Sequence, residues 1–212
     1  MPESNHAATA PNPARLILAS GSPRRRQILG DAGLDFEIIP ADIDEATRPG
    51  ESPPALAERL SREKAAAVAK RLPDRPPRPV LGSDTIVVVG ERVLGKPRDE
   101  EHAVELLGLL MGRTHEVMTA IAIAWTDGRS IESQVVTSRV EMRSAARHEL
   151  EEYVALGESL DKAGGYALQG GASRFVVGVH GSQSNVIGLP LEETLALLER
   201  AGAPSGRATA AS

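Results

Sequence analysis

The sequence predicts an α/β fold built on a mixed, twisted sheet with flanking helices. Three observations point to that class. Short apolar runs of strand length alternate with segments whose apolar residues recur at helical spacing. Two long β-rich segments, His115–Trp125 and Ser130–Met142, flank Asp127-Gly128, a strong hairpin signal. Aromatic residues make up only 2% of the chain, so its core must be built from Val, Leu, Ile and Ala.

The elements follow in order. Residues 1–13 carry no large apolar side chain after Met1, and residues 203–212 are small and polar; both read as disordered tails around a folded unit of 14–202. Leu16-Ile17-Leu18-Ala19 reads as a buried strand. Ser20-Gly21-Ser22 breaks it, and Pro23 opens a helix ending near Gly33, with Ile28 and Leu29 inward. Phe36–Pro40 is a second strand and 41–53 a loop. Leu56, Leu60 and Ala67 mark a helix over 56–72, and the four prolines of 71–79 mark a turn. Val80–Val89 is strongly strand-like and Gly90–Arg92 a hairpin turn. Helices are predicted over Asp99–Met111 and Ala145–Leu156. The Gly-rich stretch 157–185 holds one clear strand, Phe175–Val179. Leu191, Leu195 and Leu198 give a closing helix that stops at Gly202.

Composition narrows the function. At 212 residues the chain is one domain, or one domain with two lobes. A net charge of -5 and few aromatic rings argue against nucleic-acid binding and against an anionic membrane surface. The longest apolar run, Val117–Trp125, is nine residues, against about 20 for a membrane span. With no Cys, disulfides, thiolate nucleophiles and zinc ribbons are excluded, which fits a reducing cytoplasm. No signal peptide is evident.

Several segments carry candidate chemistry, each with a bland alternative. At Ser20-Gly21-Ser22-Pro23-Arg24-Arg25-Arg26 a strand gives way to a helix, so free N–H groups, the hydroxyls of Ser20 and Ser22 and the forks of Arg24 and Arg25 make an anion site. A Ser N-cap followed by solvated arginines fits the same residues. Asp84 interrupts an apolar strand; it is either paired, metal-bound or catalytic, or it faces solvent at a kink made by Gly82. Asp42, Asp44 and Glu45 form an acidic loop suited to Mg²⁺ or Mn²⁺ completed by substrate phosphates, or simply solvated. Gly90–Pro97 approaches a P-loop, but Pro97 lacks the hydroxyl and breaks the helix; Lys96 remains a candidate phosphate-binding lysine. In Asp161–Gly171, Gln169 offers a donor and an acceptor to a base edge, or lies in a surface loop. The five histidines show no metal-ligand spacing, and His102 and His148 read as surface residues.

The order and wording of these segments are more specific than any one of them. LASGSPRRRQIL, IDE, REKA, LGSDTIVV, LGKPRD, GRTHEVMTAIAI, DKAGGYALQG and GLPLEET together resemble the Maf family of nucleoside triphosphate pyrophosphatases, from about Leu16 to Leu198. The resemblance implies an elongated, two-lobed single domain with a central cleft, related to the enzymes that clear inosine triphosphate. It implies hydrolysis of the α–β phosphoanhydride with a divalent cation, Mg²⁺ or Mn²⁺, in a cytoplasmic homodimer. The family's motif positions fall on Ser20, Arg24, Arg25, Glu45, Lys64, Asp84, Lys96 and Gln169. Asp84 is implied as general base, Glu45 and Asp84 as metal ligands, and Lys96 as a catalytic phosphate-binding lysine. Ser20, Ser22, Arg24, Arg25, Lys64, Thr85 and Gln169 are implied as substrate contacts. Read on its own, Lys64 is a solvated helix lysine.

Arg24, Thr85 and Gln169 match the branch acting on dTTP and UTP rather than the branch acting on 7-methyl-GTP. Four positions depart from the family: Ser83 for Ala, Ala167-Leu168 for Gly-Ile, and Gln183 for an aromatic. The remaining alternatives are a 7-methyl-GTP or broad nucleotide pyrophosphatase, and a nucleotide-binding regulator of septum formation with little turnover. Few rings predict a base held by polar groups and aliphatic packing, with Tyr166 and Phe175 the aromatics nearest to Gln169 in sequence.

Overall fold

The computed structural model describes residues 15–72 and 76–205. The predicted tail at 1–13 lies outside the described residues, as do 206–212 of the predicted tail at 203–212 and 73–75 of the proline-rich turn. Ala203, at the start of the predicted C-terminal tail, is buried, and its N–H donates to Leu198 O at 2.8 Å.

The strands are β1 (Leu16–Leu18), β2 (Phe36–Ile38), β3 (Pro79–Val89), β4 (Arg92–Leu94), β5 (Thr114–Trp125), β6 (Glu132–Met142) and β7 (Val176–His180). The helices are α1 (Pro23–Asp31), α2 (Pro53–Lys70), α3 (Glu100–Leu110), α4 (Arg147–Val154), α5 (Gln183–Ile187) and α6 (Leu191–Arg200). Two short 3-10 turns, Ala163–Gly165 and Gly171–Phe175, and helix α5 organise the Gly-rich region, where the sequence shows only a strand. Five-residue α5 is too short for periodicity to reveal. It is held instead by the Ser182 hydroxyl, which accepts from Asn185 N–H at 3.2 Å.

The sheet is mixed, in the order β2-β1-β3-β5-β6-β7. β1 runs parallel to β2 and β3, and the remaining pairs are antiparallel. β3 is the hinge of the design. On one side it pairs with β5 continuously from Pro79 to Val88. On the other it pairs with β1 at Val80 and Leu81, and with β4 only from Val87 to Val89. Gly82–Ile86 therefore face a gap in the sheet. β1 runs toward the gap from one end, and antiparallel β4 runs back toward it from the other.

The core divides at the same place. Leu81 packs with β1, α1 and α6, and Val80 with α2; Val87 packs with α3 and α4. Two lobes thus share β3, β5 and β6, with the gap between them. Along β3 the pleat alternates. Val80, Gly82, Asp84, Ile86 and Val88 face α2, whereas Leu81, Ser83, Thr85 and Val87 face the opposite side. No described helix is long and apolar enough to cross a membrane.

Gly82 brings α2 against the sheet. A Cβ there would lie 2.1 Å from Ser61 O and 2.8 Å from Ala65 N, both helix backbone. Close approach, not a strand kink, explains this glycine. Gly82→Ala should push α2 off β3 and destabilise the fold by about 3 kcal/mol, the upper end for overpacking; urea unfolding measures the loss.

Candidate active site

The gap beside β3 opens into a cleft of about 640 Å³. One wall is the turn from β1 into α1, contributing Ser20, Ser22, Arg24 and Arg25. The other is the chain leaving β4, with Gly95 and Lys96, together with Asp161, Lys162 and Tyr166. Asp84 and Thr85 form the floor, and Glu45 and Lys64 close the α2 side. Five cationic side chains and three carboxylates line the cleft, a positive surplus in a chain of net charge -5.

Lys64 is the centre of the charged group. Its Nζ lies 2.6 Å from Asp84 Oδ1 and 2.7 Å from Glu45 Oε1. Lys64 is only 9% exposed and Asp84 7%, so neither is the solvated residue that the bland alternative describes. The reason is the phase of α2, in which Leu56, Leu60, Lys64 and Val68 all lie on the buried face. Burial acts to raise the Glu45 carboxyl, but the Lys64 hydrogen bond and the charges of Lys64, Lys96 and Arg25 outweigh it. Glu45 is thus held ionised, below its ordinary value.

The anion wall is equally defined. The N-cap Ser22 makes no side-chain capping bond, and Pro23 has no N–H, so the start of α1 is left open toward the cleft. Arg25 donates through Nε to Gly188 O at 2.9 Å, through Nη1 to Ser20 Oγ at 2.9 Å and through Nη2 to Thr85 Oγ1 at 3.1 Å. One N–H on each terminal nitrogen stays available for a ligand. Burial pulls the guanidinium pKa below its ordinary value; Asp84 and Glu45 oppose that pull and Arg24 adds to it. Arg25 remains charged.

Behind Thr85 runs a buried polar chain. Its hydroxyl meets Thr119 Oγ1 at 3.0 Å, and Thr119 donates to Asn185 O at 3.0 Å. Asn185 Nδ2 donates to Val117 O at 3.0 Å and to Ser138 Oγ at 2.9 Å. Ser83 is buried and donates to Gly188 O at 3.4 Å, the same carbonyl that anchors Arg25.

On the opposite wall Lys162 pairs with Asp161. Burial works against the Asp161 charge, but Lys162 and then Arg24 hold the carboxyl below its ordinary value. Tyr166 is buried at the cleft edge, its hydroxyl 2.7 Å from His115 Nε2. Phe175 lies in the core, with the guanidinium groups of Arg143 and Arg174 5.1 and 4.9 Å from its ring centroid.

Of the residues singled out in the sequence, Ser20, Ser22, Arg24, Arg25, Glu45, Lys64, Asp84, Thr85 and Lys96 all line this one cleft. Gln169 does not: it is exposed on the turn before the 3-10 segment Gly171–Phe175. Asp42 and Asp44 are also outside the lining, and Asp44 Oδ1 accepts from Ala46 N–H at 2.9 Å. His102 is half-buried rather than exposed, with Nδ1 accepting from Arg98 N–H at 3.1 Å; His148 is exposed.

The sequence model of the family described as Maf-like protein matches residues 15–201. The chain belongs to the Maf-like family. A dTTP/UTP pyrophosphatase of Myxococcus xanthus is 51% identical over 189 residues, covering 89% of this chain and 93% of that one. Proteins of the same name from Anaeromyxobacter sp. and Hahella chejuensis are 48% and 45% identical, covering 90% and 91% of this chain and 91% and 94% of theirs. Among solved structures, the Ham1 protein of Staphylococcus aureus superposes with a TM-score of 0.46 at 18% identity, over 88% of this chain and 99% of that one.

Two features of this Maf-like site escape sequence reasoning. Thr119 and Asn185 each look ordinary, and only the register of β3 on β5 sets Thr119 opposite Thr85. His115 looks like a strand residue with no partner, yet it is 2% exposed and its Nδ1 has no partner among the described residues. Burial lowers its pKa from 6.5 to about 4. The unfolded chain therefore binds the proton first, and stability should fall as pH drops from 6.5 toward about 4. The loss should be on the order of 3 kcal/mol. His115→Gln, which does not titrate, should flatten that slope in denaturation midpoints measured across the window.

Proposed function

We propose that the chain is a nucleoside triphosphate pyrophosphatase that hydrolyses the α–β phosphoanhydride of dTTP and UTP, releasing the nucleoside monophosphate and pyrophosphate. The observation that carries this is the Glu45–Lys64–Asp84 group at the floor and α2 side of the cleft, between Arg24 and Arg25 on one wall and Lys96 on the other. A floor rich in carboxylate beside a cationic wall suits a reaction in which water attacks a phosphorus whose leaving group is itself an anion. The names of the relatives support the same substrates.

The roles follow from position. The open start of α1, Ser20, Ser22, Arg24, Arg25 and Lys96 bind the triphosphate and orient its α phosphorus. Asp84 accepts from Lys64 through one carboxylate oxygen, which leaves the other for a water. In the step, that water attacks the α phosphorus, Asp84 takes its proton, and the bond to the bridging oxygen breaks with its electrons leaving on pyrophosphate. Lys64 holds the Asp84 carboxylate in place for this transfer. Of the three positions that mark the dTTP and UTP branch, Arg24 and Thr85 stand in the cleft lining and Gln169 does not.

A divalent cation fits the donor set. No group of three or more acidic or histidine side chains forms a metal site among the described residues. Glu45 and Asp84 each meet the Lys64 ammonium through one oxygen, however, and their second oxygens completed by substrate phosphates suit Mg²⁺ or Mn²⁺. Bound there, the cation would supply charge neutralisation at the α-phosphate. A cytoplasmic homodimer belongs to the same proposal, and light scattering on the purified protein measures the assembly.

Pyrophosphate release from dTTP should be fast with Mg²⁺ and abolished by EDTA. Release no higher than in EDTA would point to a nucleotide-binding regulator instead. Across dTTP, UTP, CTP, GTP and 7-methyl-GTP, kcat/KM should be highest for the first two; preference for 7-methyl-GTP overturns the pyrimidine assignment. Asp84→Asn should lower kcat by about 10²–10⁴-fold, the range for a positioned general base, and full turnover would remove Asp84 from that role.

A further inference from the structure

Asp84 is fixed within a strand, but Glu45 stands on a segment without regular structure between β2 and α2. Little of that segment's own backbone bonding holds it. What holds it is α2. Arg59 donates through Nη2 to Ala46 O at 3.0 Å, the carbonyl directly after Glu45. The same guanidinium grips Glu51 through two bonds, Nε to Oε1 at 2.6 Å and Nη2 to Oε2 at 2.8 Å, and Glu63 through Nη1 at 3.1 Å. Glu51 Oε2 in turn accepts from Arg48 N–H at 3.1 Å, so the far end of the segment is tied as well. On the near side Arg71, the residue after α2, donates to Pro40 O at 3.2 Å.

Most surface ion pairs do little. This one is different: the Arg59 side chain is 12% exposed and that of Glu51 9%, and the contact is a two-bond fork. The carboxyl of Glu51 is held down to about 2, so the fork stays charged through mild acid. Neither residue lies in the cleft lining.

We infer that Arg59 is a positioning residue, which clamps the segment 46–51 onto α2 and thereby holds Glu45 against Lys64 in the cleft. This rests on the pyrophosphatase reading of the cleft. One helix then supplies both the ammonium that Glu45 meets and the guanidinium that fixes the backbone beside it. A displaced Glu45 leaves nucleotide binding by the α1 wall intact and disturbs the reacting end.

The test is a mutant cycle with two readouts. In Arg59→Met, kcat for dTTP should fall roughly 10- to 100-fold, as expected for a displaced site group, with KM little changed. Within 41–52, the bonded amides of Ala46, Arg48 and Glu51 should lose hydrogen-exchange protection while those of β3 keep theirs. Combined with Glu45→Gln, Arg59→Met should cost nothing further, because the two changes remove the same arrangement. Arg59→Lys, which keeps charge but not the fork, should recover only part of kcat. Fully additive losses, or unchanged exchange over 41–52, overturn the inference. If Arg59→Met loses its cooperative unfolding transition, Glu51→Gln takes its place. It should show the same pattern in weaker form, and wild-type kcat with wild-type exchange would overturn the inference. A wild-type protein that releases no pyrophosphate sinks the parent reading, and the exchange measurement still reports on the clamp.

Discussion

Lys64 sits where an apolar side chain would ordinarily be. It occupies the buried face of α2, one helical turn from Leu60 and one from Val68, and two carboxylates meet its ammonium. Removing such a charge from water is costly, and its worth depends on both partners being present. The rest of the site is arranged around that condition. Gly82 lets α2 approach β3 closely enough for the lysine to reach Asp84. The pleat turns Asp84 toward α2 and Thr85 toward the opposite side. The segment after β2 must then return to α2 to bring Glu45 within reach. Removing the lysine would leave two carboxylates facing each other with no cation between them, which is more disruptive than the loss of any single contact.

The gap in the sheet makes room for chemistry around this pair. A continuous sheet would bury the edge of β3 from Gly82 to Ile86; here β1 stops short of the gap and β4 begins only beyond it. The chain leaving each short strand becomes a wall of the cleft. Most of the cations can therefore be supplied from the turn into α1 and from the chain after β4, where backbone N–H groups are also available, while the carboxylates come from β3, from the segment bound to α2 and from the chain after α4. Two hydrophobic cores on either side of the gap keep the walls apart without filling it.

Most of this was legible where a local signal had a local cause. The break at Ser20-Gly21-Ser22, the glycine turn after β3 and the hairpin at Asp127-Gly128 are punctuation that the backbone obeys. Asp84 stood out because a carboxylate in an apolar strand needs a partner. Lys64 reads on its own as a solvated helix lysine, and only the family resemblance singles it out; the structure shows it in the buried stripe Leu56, Leu60, Lys64 and Val68, which recurs every fourth residue. The Thr85–Thr119–Asn185 chain and the Arg59 clamp were not legible, because they join residues brought together by strand register and by a loop's return path. Gln169 shows the converse. Its residue type and its motif both suggest a base contact, yet its turn leaves it exposed outside the cleft lining.

The two carboxylates on Lys64 are not equivalent, and the difference has a chemical consequence. Asp84 is held by sheet hydrogen bonds on the β5 side and by Lys64, so its free oxygen has a fixed direction, as a proton acceptor requires. Glu45 stands on a segment held by α2 side chains rather than by a sheet, and it remains about half exposed, so it is open to an entering phosphate. In the proposed reaction, a buried base fixed by the sheet beside a more open second carboxylate suits a site that must hold a flexible polyanion while keeping the attacking water in line with one phosphorus. The same division applies to the cations. Arg25 spends three donors on Gly188, Ser20 and Thr85 and is pre-set, whereas Lys96 is exposed and free to follow the ligand. In the proposed reaction, the groups set by hydrogen bonds, Asp84 on β3 and Arg25 on α1, are the ones that meet the reacting centre, and the more exposed Glu45 and Lys96 meet the remainder of the substrate.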